Sequence, residues 1–152
     1  MIRSQIILLV EDNRDDVDLT IRAFSKSKTT SEIVVTRDGE EALEYLFATG
    51  RYANPEIAAL PDVVLLDLNL PKMDGFHVLR QLRAHERTKR LPVVILTSSR
   101  DNQDLIRSYD CGANSFVCKP VDFQQFREVA IQISQYWLEV NQVPSMSHME
   151  AP

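Results

Sequence analysis

In Val63-Val64-Leu65-Leu66-Asp67, four consecutive apolar residues are followed by a carboxylate, and no other segment says more about the fold. An unbroken apolar run of this length is typical of a strand that is covered on both faces of a parallel sheet. A carboxylate at the end of a buried strand is costly unless a partner meets its charge. The sequence therefore predicts a parallel sheet with a polar site at its carboxyl edge.

Four further apolar runs share this pattern: Ile6–Val10, Ile33–Val35, Val93–Leu96 and Phe116–Val117. The segments between the runs carry apolar residues at helical spacing, most clearly the stripe of Phe126, Ala130, Ile133 and Trp137 in the last segment. Asp122 stands where it would cap that helix. Five strand–helix units predict an α/β sandwich, with a five-stranded parallel sheet and helices on both faces.

Composition favours one globular domain and argues against some partners. The chain has 152 residues, of which 44% are hydrophobic and 26% are charged. Its net charge of −5 argues against direct nucleic-acid binding, which needs clustered Lys and Arg. The run Ile6–Val10 is too short to span a membrane and no signal peptide is recognisable, so we expect a cytoplasmic protein. Acidic residues are concentrated near the start, at Glu11, Asp12, Asp15, Asp16 and Asp18.

Two segments fall outside the repeating pattern. Gly50 to Pro61 is a long connection with two prolines, and we expect a surface loop with a short turn of helix. Residues 141–152 contain two prolines and little periodicity, which predicts a disordered tail. The predicted domain therefore comprises residues 5–140.

The residues that follow the strands point to a shared site, since the carboxyl ends of parallel strands form one functional edge. These residues are Glu11 and Asp12 after the first run, Asp67 after the third, Thr97 and Ser98 after the fourth, and Lys119 after the fifth. Three carboxylates that meet at one edge would repel one another. A divalent cation would relieve this repulsion, and hard oxygen ligands favour Mg²⁺.

This set of residue types suits phosphoryl transfer. Asp67 can act as a nucleophile that forms an aspartyl phosphate. Mg²⁺ and the ammonium of Lys119 can neutralise the charge of the transferred group, and Thr97 can donate a hydrogen bond to it. Each feature alone has a common structural interpretation, such as a helix cap for Glu11 and Asp12 or a solvated surface charge for Lys119. Their coincidence at successive strand ends is what favours a site.

The chain resembles the receiver domains of two-component response regulators over about Gln5 to Trp137. The matching strings are Leu8–Asn13, Leu65–Pro71, Met73–Gly75, Val94–Ser98 and Gly112–Pro120. The resemblance implies the flavodoxin-like fold with strand order 2-1-3-4-5, of which receiver proteins are known examples.

The resemblance also assigns roles within the predicted site. Asp67 becomes the phosphoacceptor, and Lys119 pairs with Asp67 or with the phosphoryl group. The Mg²⁺ ligands become Asp12, Asp67 and the backbone carbonyl of Asn69, with Glu11 acting through water. Ser98 is small and leaves room for the phosphoryl group. The Lys119–Pro120 bond is expected to be cis, a conformation that is essentially confined to X–Pro bonds.

The implied function is that of a single-domain response regulator, which a histidine kinase phosphorylates. Such a protein catalyses only its own phosphorylation and dephosphorylation, and is not otherwise an enzyme. Thr97 and Phe116 occupy the family's switch positions, and phosphorylation would alter the face made by the fourth helix, fifth strand and fifth helix. The alternative is a degenerate receiver or phosphorelay intermediate that acts mainly through protein contacts.

A narrower resemblance is to the short regulators that are paired with cyanobacterial-type phytochrome kinases. It depends on the Gly50–Pro61 connection, on Asp67–Pro71 and on the closing Tyr136–Glu139. It implies a phytochrome-type sensor kinase as partner and a homodimer through the face of the fourth helix, fifth strand and fifth helix.

Two functions of other classes remain open. Phosphatases of the haloacid dehalogenase type also use a nucleophilic Asp and Mg²⁺, but they want a second Asp where this chain has Asn69. A flavodoxin-like protein that binds FMN would place a Ser/Thr-rich phosphate loop after the first strand, and none is found there.

Overall fold

The computed structural model describes residues 5–26, 31–54 and 59–144. Their helices and strands alternate as the apolar runs predict. The elements, in chain order, are β1 (Gln5–Val10), α1 (Arg14–Phe24), β2 (Ser31–Thr36), α2 (Gly39–Phe47), a 3₁₀ turn (Gly50–Tyr52), β3 (Val63–Leu66), α3 (Gly75–Ala84), β4 (Val93–Thr97), α4 (Asn102–Asp110), β5 (Ser115–Cys118), α5 (Phe123–Ser134) and a π-helix (Gln135–Val140).

The five strands form one parallel sheet in the order β2-β1-β3-β4-β5. This confirms the predicted flavodoxin-like topology, with α2, α3 and α4 on one face and α1 and α5 on the other. The register aligns the strand ends, since Val10 is opposite Leu66 and Thr97 is opposite Cys118. The residues that follow the strands therefore emerge at one edge of the sheet.

Side chains alternate between two cores along each central strand, as the period of two in a strand requires. Leu8, Val64 and Ile95 pack with α2 and α3 in the first core. Their neighbours, such as Leu9 and Leu65, pack with α1 and α5 in the second core. Both faces of the central strands are buried, which is why their sequences are continuously apolar.

Side-chain caps start the helices close to the strand ends. Asp122 accepts a hydrogen bond from the backbone N–H of Gln125 (3.1 Å), which confirms the predicted cap of α5. Asn13 caps α1 in the same way, with the N–H of Asp16 as donor (3.0 Å). Such caps satisfy backbone donors that have no partner within the helix. They also fix where each first turn lies relative to the site.

The Gly50–Pro61 connection contains a short helical turn, as expected, at Gly50–Tyr52. Two tyrosines fasten it: the Tyr52 hydroxyl donates to Glu41 (2.6 Å) and the Tyr45 hydroxyl donates to the carbonyl of Ala59 (2.7 Å). Residues 55–58 of this connection lie outside the described residues.

The end of the domain differs in detail from expectation, because α5 continues as a π-helix to Val140. The side chain of Gln5 donates to the carbonyl of Leu138 (2.5 Å) and so joins the start of β1 to this segment. Residues 141–144 form neither helix nor strand, and the rest of the predicted tail, 145–152, lies outside the described residues. Within the described ranges, no helix is long and apolar enough to cross a bilayer.

Candidate functional site

Three of the predicted site residues extend the sheet by one backbone hydrogen bond beyond the last residue of a strand. The N–H donors and carbonyl acceptors are Glu11 to Thr36 (3.0 Å), Asp67 to Val10 (3.1 Å) and Lys119 to Thr97 (2.8 Å). Their backbones are therefore as fixed as the strands themselves. Side chains alternate along a strand, so each of the three lies on the same face as the residue two positions before it, which is a second-core residue. All three side chains therefore point to the side of α1 and α5.

The side chain of Lys119 contacts three acidic residues. Its Nζ donates to Glu11 Oε1, to Asp16 Oδ2 at 3.0 Å and to Asp67 Oδ2 at 3.1 Å. Lys119, Glu11 and Asp67 are all buried. We call these four residues the lysine cluster. The predicted meeting of Glu11, Asp67 and Lys119 is present in the structure.

Burial and charge act in opposite directions on the lysine cluster. Burial disfavours the Lys119 ammonium, but its bond to Glu11 and the charge of Asp67 outweigh burial and raise the pKa of Lys119 above its ordinary range. Burial is also the main reason that the pKa of Glu11 rises to about 7, although its bond to Lys119 opposes the rise. One ammonium therefore does not fully compensate the carboxylates packed around it.

The remaining predicted metal ligands lie at the mouth of the site. Asp12 and Asn69 are exposed, and the N–H of Asn69 donates to Asp67 Oδ1 (3.3 Å). Among the described residues, no three metal-ligating side chains are arranged to hold an ion. The donor set still fits a hard cation, because it consists of carboxylate and carbonyl oxygen atoms.

The loop after Asp67 packs closely against the start of α3. The N–H of Gly75 donates to the carbonyl of Leu68 (3.0 Å). A Cβ at Gly75 would lie 2.9 Å from the Cα of Leu68, which is closer than packed atoms allow. Glycine is therefore required where α3 begins, and this contact fixes the loop that carries Asp67 and Asn69.

Thr97 and Phe116 lie on the first-core face of the sheet. Thr97 is fully buried, and its Oγ1 accepts a hydrogen bond from the N–H of Ser99 (3.3 Å). Phe116 is opposite Ile95 in the register, is half-buried and packs against the first core. Ser98 is exposed at the end of β4.

The expected cis bond between Lys119 and Pro120 is wrong for this structure, which has no cis peptide bond in its described part. The trans form is the lower-energy form of an X–Pro bond by about 0.5–1 kcal/mol. Lys119 reaches all three carboxylates with the bond in trans, so those contacts do not require the cis form.

The comparison with protein families decides the assignment, because the model of the response regulator receiver domain matches residues 7–131. The chain belongs to this family. A curated relative, the probable methanogenesis regulatory protein FilR2 of Methanothrix harundinacea (strain 6Ac), is 43% identical over 139 residues, which is 91% of this chain and 87% of FilR2.

Solved structures of receivers agree with the fold. One is the phosphorylated cyanobacterial phytochrome response regulator RcpA, which is 40% identical with a TM-score of 0.87 over 94% of this chain and 100% of RcpA. Another is the Mn²⁺-bound form of the response regulator Rcp1, which is 35% identical with a TM-score of 0.84 over 93% of this chain and 99% of Rcp1. The resemblance inferred from the sequence is confirmed at the level of the family and of these regulators.

Helix α4 of this receiver is loosely packed. Of its nine residues only Ser108 is buried, while Ile106 and Tyr109 are 53% and 50% exposed. The guanidinium of Arg107 lies 4.1 Å from the ring centroid of Phe76 and links α4 to α3. α4 therefore leaves two large apolar side chains exposed.

Sequence reasoning missed Asp16, which is the third partner of Lys119 in this receiver. The one available signal was the acidic concentration that follows β1. That signal does not single out Asp16 from Asp15 or Asp18, because the choice depends on which face of the first turn of α1 is directed at the site.

Proposed function

We propose that this receiver accepts a phosphoryl group on Asp67 and that Lys119 assists the transfer. The observation that supports this most is the 3.1 Å contact between Lys119 Nζ and Asp67 Oδ2, in a buried cluster at the carboxyl edge of the sheet. Burial strengthens charge interactions because it excludes water. An ammonium so close to the acceptor oxygen is well placed to meet the added negative charge.

The proposed donor is a phosphohistidine of a sensor kinase. A carboxylate oxygen of Asp67 attacks phosphorus, the new O–P bond forms and the N–P bond to the kinase imidazole breaks. The leaving imidazole keeps the bonding electrons and takes up a proton, and the phosphoryl charge remains on Asp67. Lys119 then donates to a phosphoryl oxygen.

We propose Mg²⁺ as the cofactor, held by Asp12, Asp67 and the backbone carbonyl of Asn69, with Glu11 acting through water. When bound, the ion supplies positive charge that neutralises the phosphoryl oxygens. The Mn²⁺-bound form of the relative Rcp1 supports a divalent cation in this family. Ser98 is exposed beside the site and leaves access for the phosphoryl group.

The proposed signal travels through Thr97 and Phe116. The hydroxyl of Thr97 would turn from Ser99 toward the phosphoryl group, and the half-buried Phe116 would move into the space that Thr97 leaves. The loosely packed α4, together with β5 and α5, would then change its affinity for partners. Because Phe116 has no hydroxyl, its inward state depends on packing alone.

Partners follow from the relatives and from the surface. The relative RcpA, a cyanobacterial phytochrome response regulator, supports a phytochrome-type histidine kinase as donor. We expect the protein to act in the cytoplasm. We also propose a homodimer through α4, β5 and α5, and a groove of about 470 Å³, lined by Val117, Val129 and Trp137 among others, is open on the β5 and α5 part of that face. Phe126 does not contribute, because it is buried in the second core.

Labelling with acetyl phosphate and Mg²⁺ tests the proposal. Wild-type protein should gain one phosphoryl group, and Asp67→Asn should gain none. Asp110→Asn, at the exposed end of α4, is the matched control and should be labelled as fast as wild type. Undiminished labelling of the Asp67→Asn variant would place the acceptor elsewhere.

A second measurement tests the signalling part of the proposal. NMR spectra with and without beryllofluoride, a phosphoryl mimic, should differ across residues 97–120. Unchanged signals there, in protein whose Asp67 does accept phosphate, would leave the degenerate or relay role as the better description.

A further inference from the structure

We propose that Asp16 is a positioning residue that holds one N–H of Lys119 before phosphorylation and releases it when Asp67 takes up the phosphoryl group. This inference rests on the proposed function of Asp67. In the resting chain Asp16 therefore acts as a competitor for the ammonium, and it slows phosphorylation.

The donors of Lys119 are fully used in the structure. A lysine ammonium has three N–H donors. Glu11, Asp16 and Asp67 each accept one hydrogen bond from Nζ. No donor is left for a phosphoryl oxygen, so one of these three bonds must break before Lys119 can bind the transferred group.

Exposure decides which bond breaks most easily. The side chain of Asp16 is 35% exposed, whereas those of Glu11 and Asp67 are 3% and 9% exposed. A carboxylate that loses its partner at the surface is rehydrated, but one that is buried has no replacement. All three partners are still carboxylates while the phosphoryl group approaches, so Lys119 should exchange Asp16 for the phosphoryl oxygen and keep Glu11 and Asp67 until the O–P bond forms.

Asp16 is held in place by local structure, so its contact with Lys119 is specific. The N–H of Asn13 donates to Glu11 Oε2 (3.2 Å), and the N–H of Asp16 donates to Asn13 Oδ1 (3.0 Å). Glu11 and Asp16 then both accept from Lys119, which closes a ring of hydrogen bonds. The cap of α1 thus sets the side of the first turn that faces Lys119.

Charge acts in the same direction as competition for the donor. The incoming phosphoryl group is negative, and Asp16 is a nearby negative charge that also occupies the ammonium. Replacing Asp16 with Asn removes the charge and leaves a weaker, neutral acceptor. We therefore expect the variant to accept phosphate faster than wild type, whereas loss of a residue that merely supports the fold would slow it.

The test compares Asp16→Asn with Asp15→Asn. Asp15 lies in the same exposed first turn of α1 but is not one of the three partners of Lys119. Both variants lose one negative charge at the start of α1. At a fixed concentration of acetyl phosphate and Mg²⁺, Asp16→Asn should be labelled about fivefold faster than Asp15→Asn, which corresponds to the upper end for an ion pair open to water. Equal rates, or slower labelling of Asp16→Asn, would overturn the inference.

Two further readouts separate this inference from a purely structural role. Beryllofluoride should bind Asp16→Asn about fivefold more tightly than Asp15→Asn, and Asp16→Glu should return the value toward that of wild type. The NMR signal of Lys119 Nζ should already differ from wild type in free Asp16→Asn. If affinity and signal are unchanged, Asp16 does not compete for Lys119.

The outcome for Asp16 is distinguishable from that for Asp67. Labelled wild type and unlabelled Asp67→Asn, with equal rates for the Asp16 and Asp15 variants, would reject Asp16 and keep the phosphoacceptor. Labelling that persists in Asp67→Asn would reject both proposals together.

Discussion

The two sides of the sheet treat the same site differently. On the side of α1 and α5, the lysine cluster is tight, since buried Glu11 and Asp67 share one ammonium with Asp16. On the other side lie Thr97, the half-buried Phe116 and helix α4, of which only Ser108 is buried. We call this second region the α4 region.

In the function that we propose, the chemistry lies on the tightly packed face of the sheet and the signalling groups lie on the loosely packed face. Groups that must meet a phosphoryl charge need positions that do not vary. Groups that must change position need few packing contacts, because a well-packed element resists displacement. Along β5, Phe116 and Lys119 are only three residues apart, yet alternation places them on opposite faces of the sheet.

Lys119→Met should have the largest effect on stability, because it removes the cation from the tight side. Buried carboxylates without a partner are costly, so we expect a loss of roughly 3 kcal/mol in unfolding free energy in metal-free buffer at about pH 8. Urea denaturation measures it. Mg²⁺ should restore part of the loss.

Lys26→Met is the control for that change, since Lys26 is an exposed lysine just after α1. It should leave stability within about 0.5 kcal/mol of wild type. A similar small effect for Lys119→Met would mean that the lysine cluster is not held by its charge, and the contrast between the two sides would fail.

The raised pKa of Glu11 should make stability depend on pH. Folding raises the pKa of Glu11 from its ordinary value of 4.5 to about 7, so the folded chain keeps a proton there to a higher pH. The folded state therefore binds more protons in this window, and stability falls as pH rises from about 4.5 to about 7. A shift of this size corresponds to at most about 3 kcal/mol. Urea denaturation at several pH values, with chelator present, measures it.

Glu11→Gln should remove most of that pH dependence, and Glu40→Gln, on the exposed start of α2, should retain it. The main causes of the raised pKa of Glu11 are burial, Lys119 and Asp67, so this variant tests the lysine cluster and not the α4 region. A slope that persists in Glu11→Gln would assign the proton uptake to another group.

Arg107→Ala should have the smallest effect on stability, because it removes one contact of the loose side. A cation–π contact at an exposed position contributes about 0.5–1 kcal/mol. The change should show chiefly as faster amide hydrogen exchange in α4. Arg127→Ala removes an exposed arginine of α5, and it should leave hydrogen exchange in α4 unchanged. If both variants behave alike, α4 is not held to α3 by Arg107.

The fold was predictable because its signals are local and repeated. Each continuous apolar run marks a strand that is covered on both faces, and the cap at Asp122 marks a helix start. The approach of Glu11, Asp67 and Lys119 was also predictable. Once the strands are parallel and aligned, the residues that follow them must lie at one edge.

The features that escaped prediction depend on angle and packing rather than on order along the chain. Asp16 reaches Lys119 because of how the Asn13 cap rotates the first turn of α1. The trans Lys119–Pro120 bond and the π-helix at Gln135–Val140 also differ from expectation. Such local backbone geometry depends on the surrounding packing. Sequence patterns carry little information at that scale.

The hydrogen bond between Gln5 and the carbonyl of Leu138, which we call the Gln5 clasp, has a practical consequence for attaching reporters. Because β1 runs from Gln5 toward Glu11, this clasp lies at the amino edge of the sheet, roughly 17 Å or more from the carboxylates at about 3.3 Å per residue. A fluorophore or surface anchor joined near either partner would be remote from Asp67. Immobilised protein could thus be titrated with kinase, and the point of attachment would not obstruct the proposed acceptor.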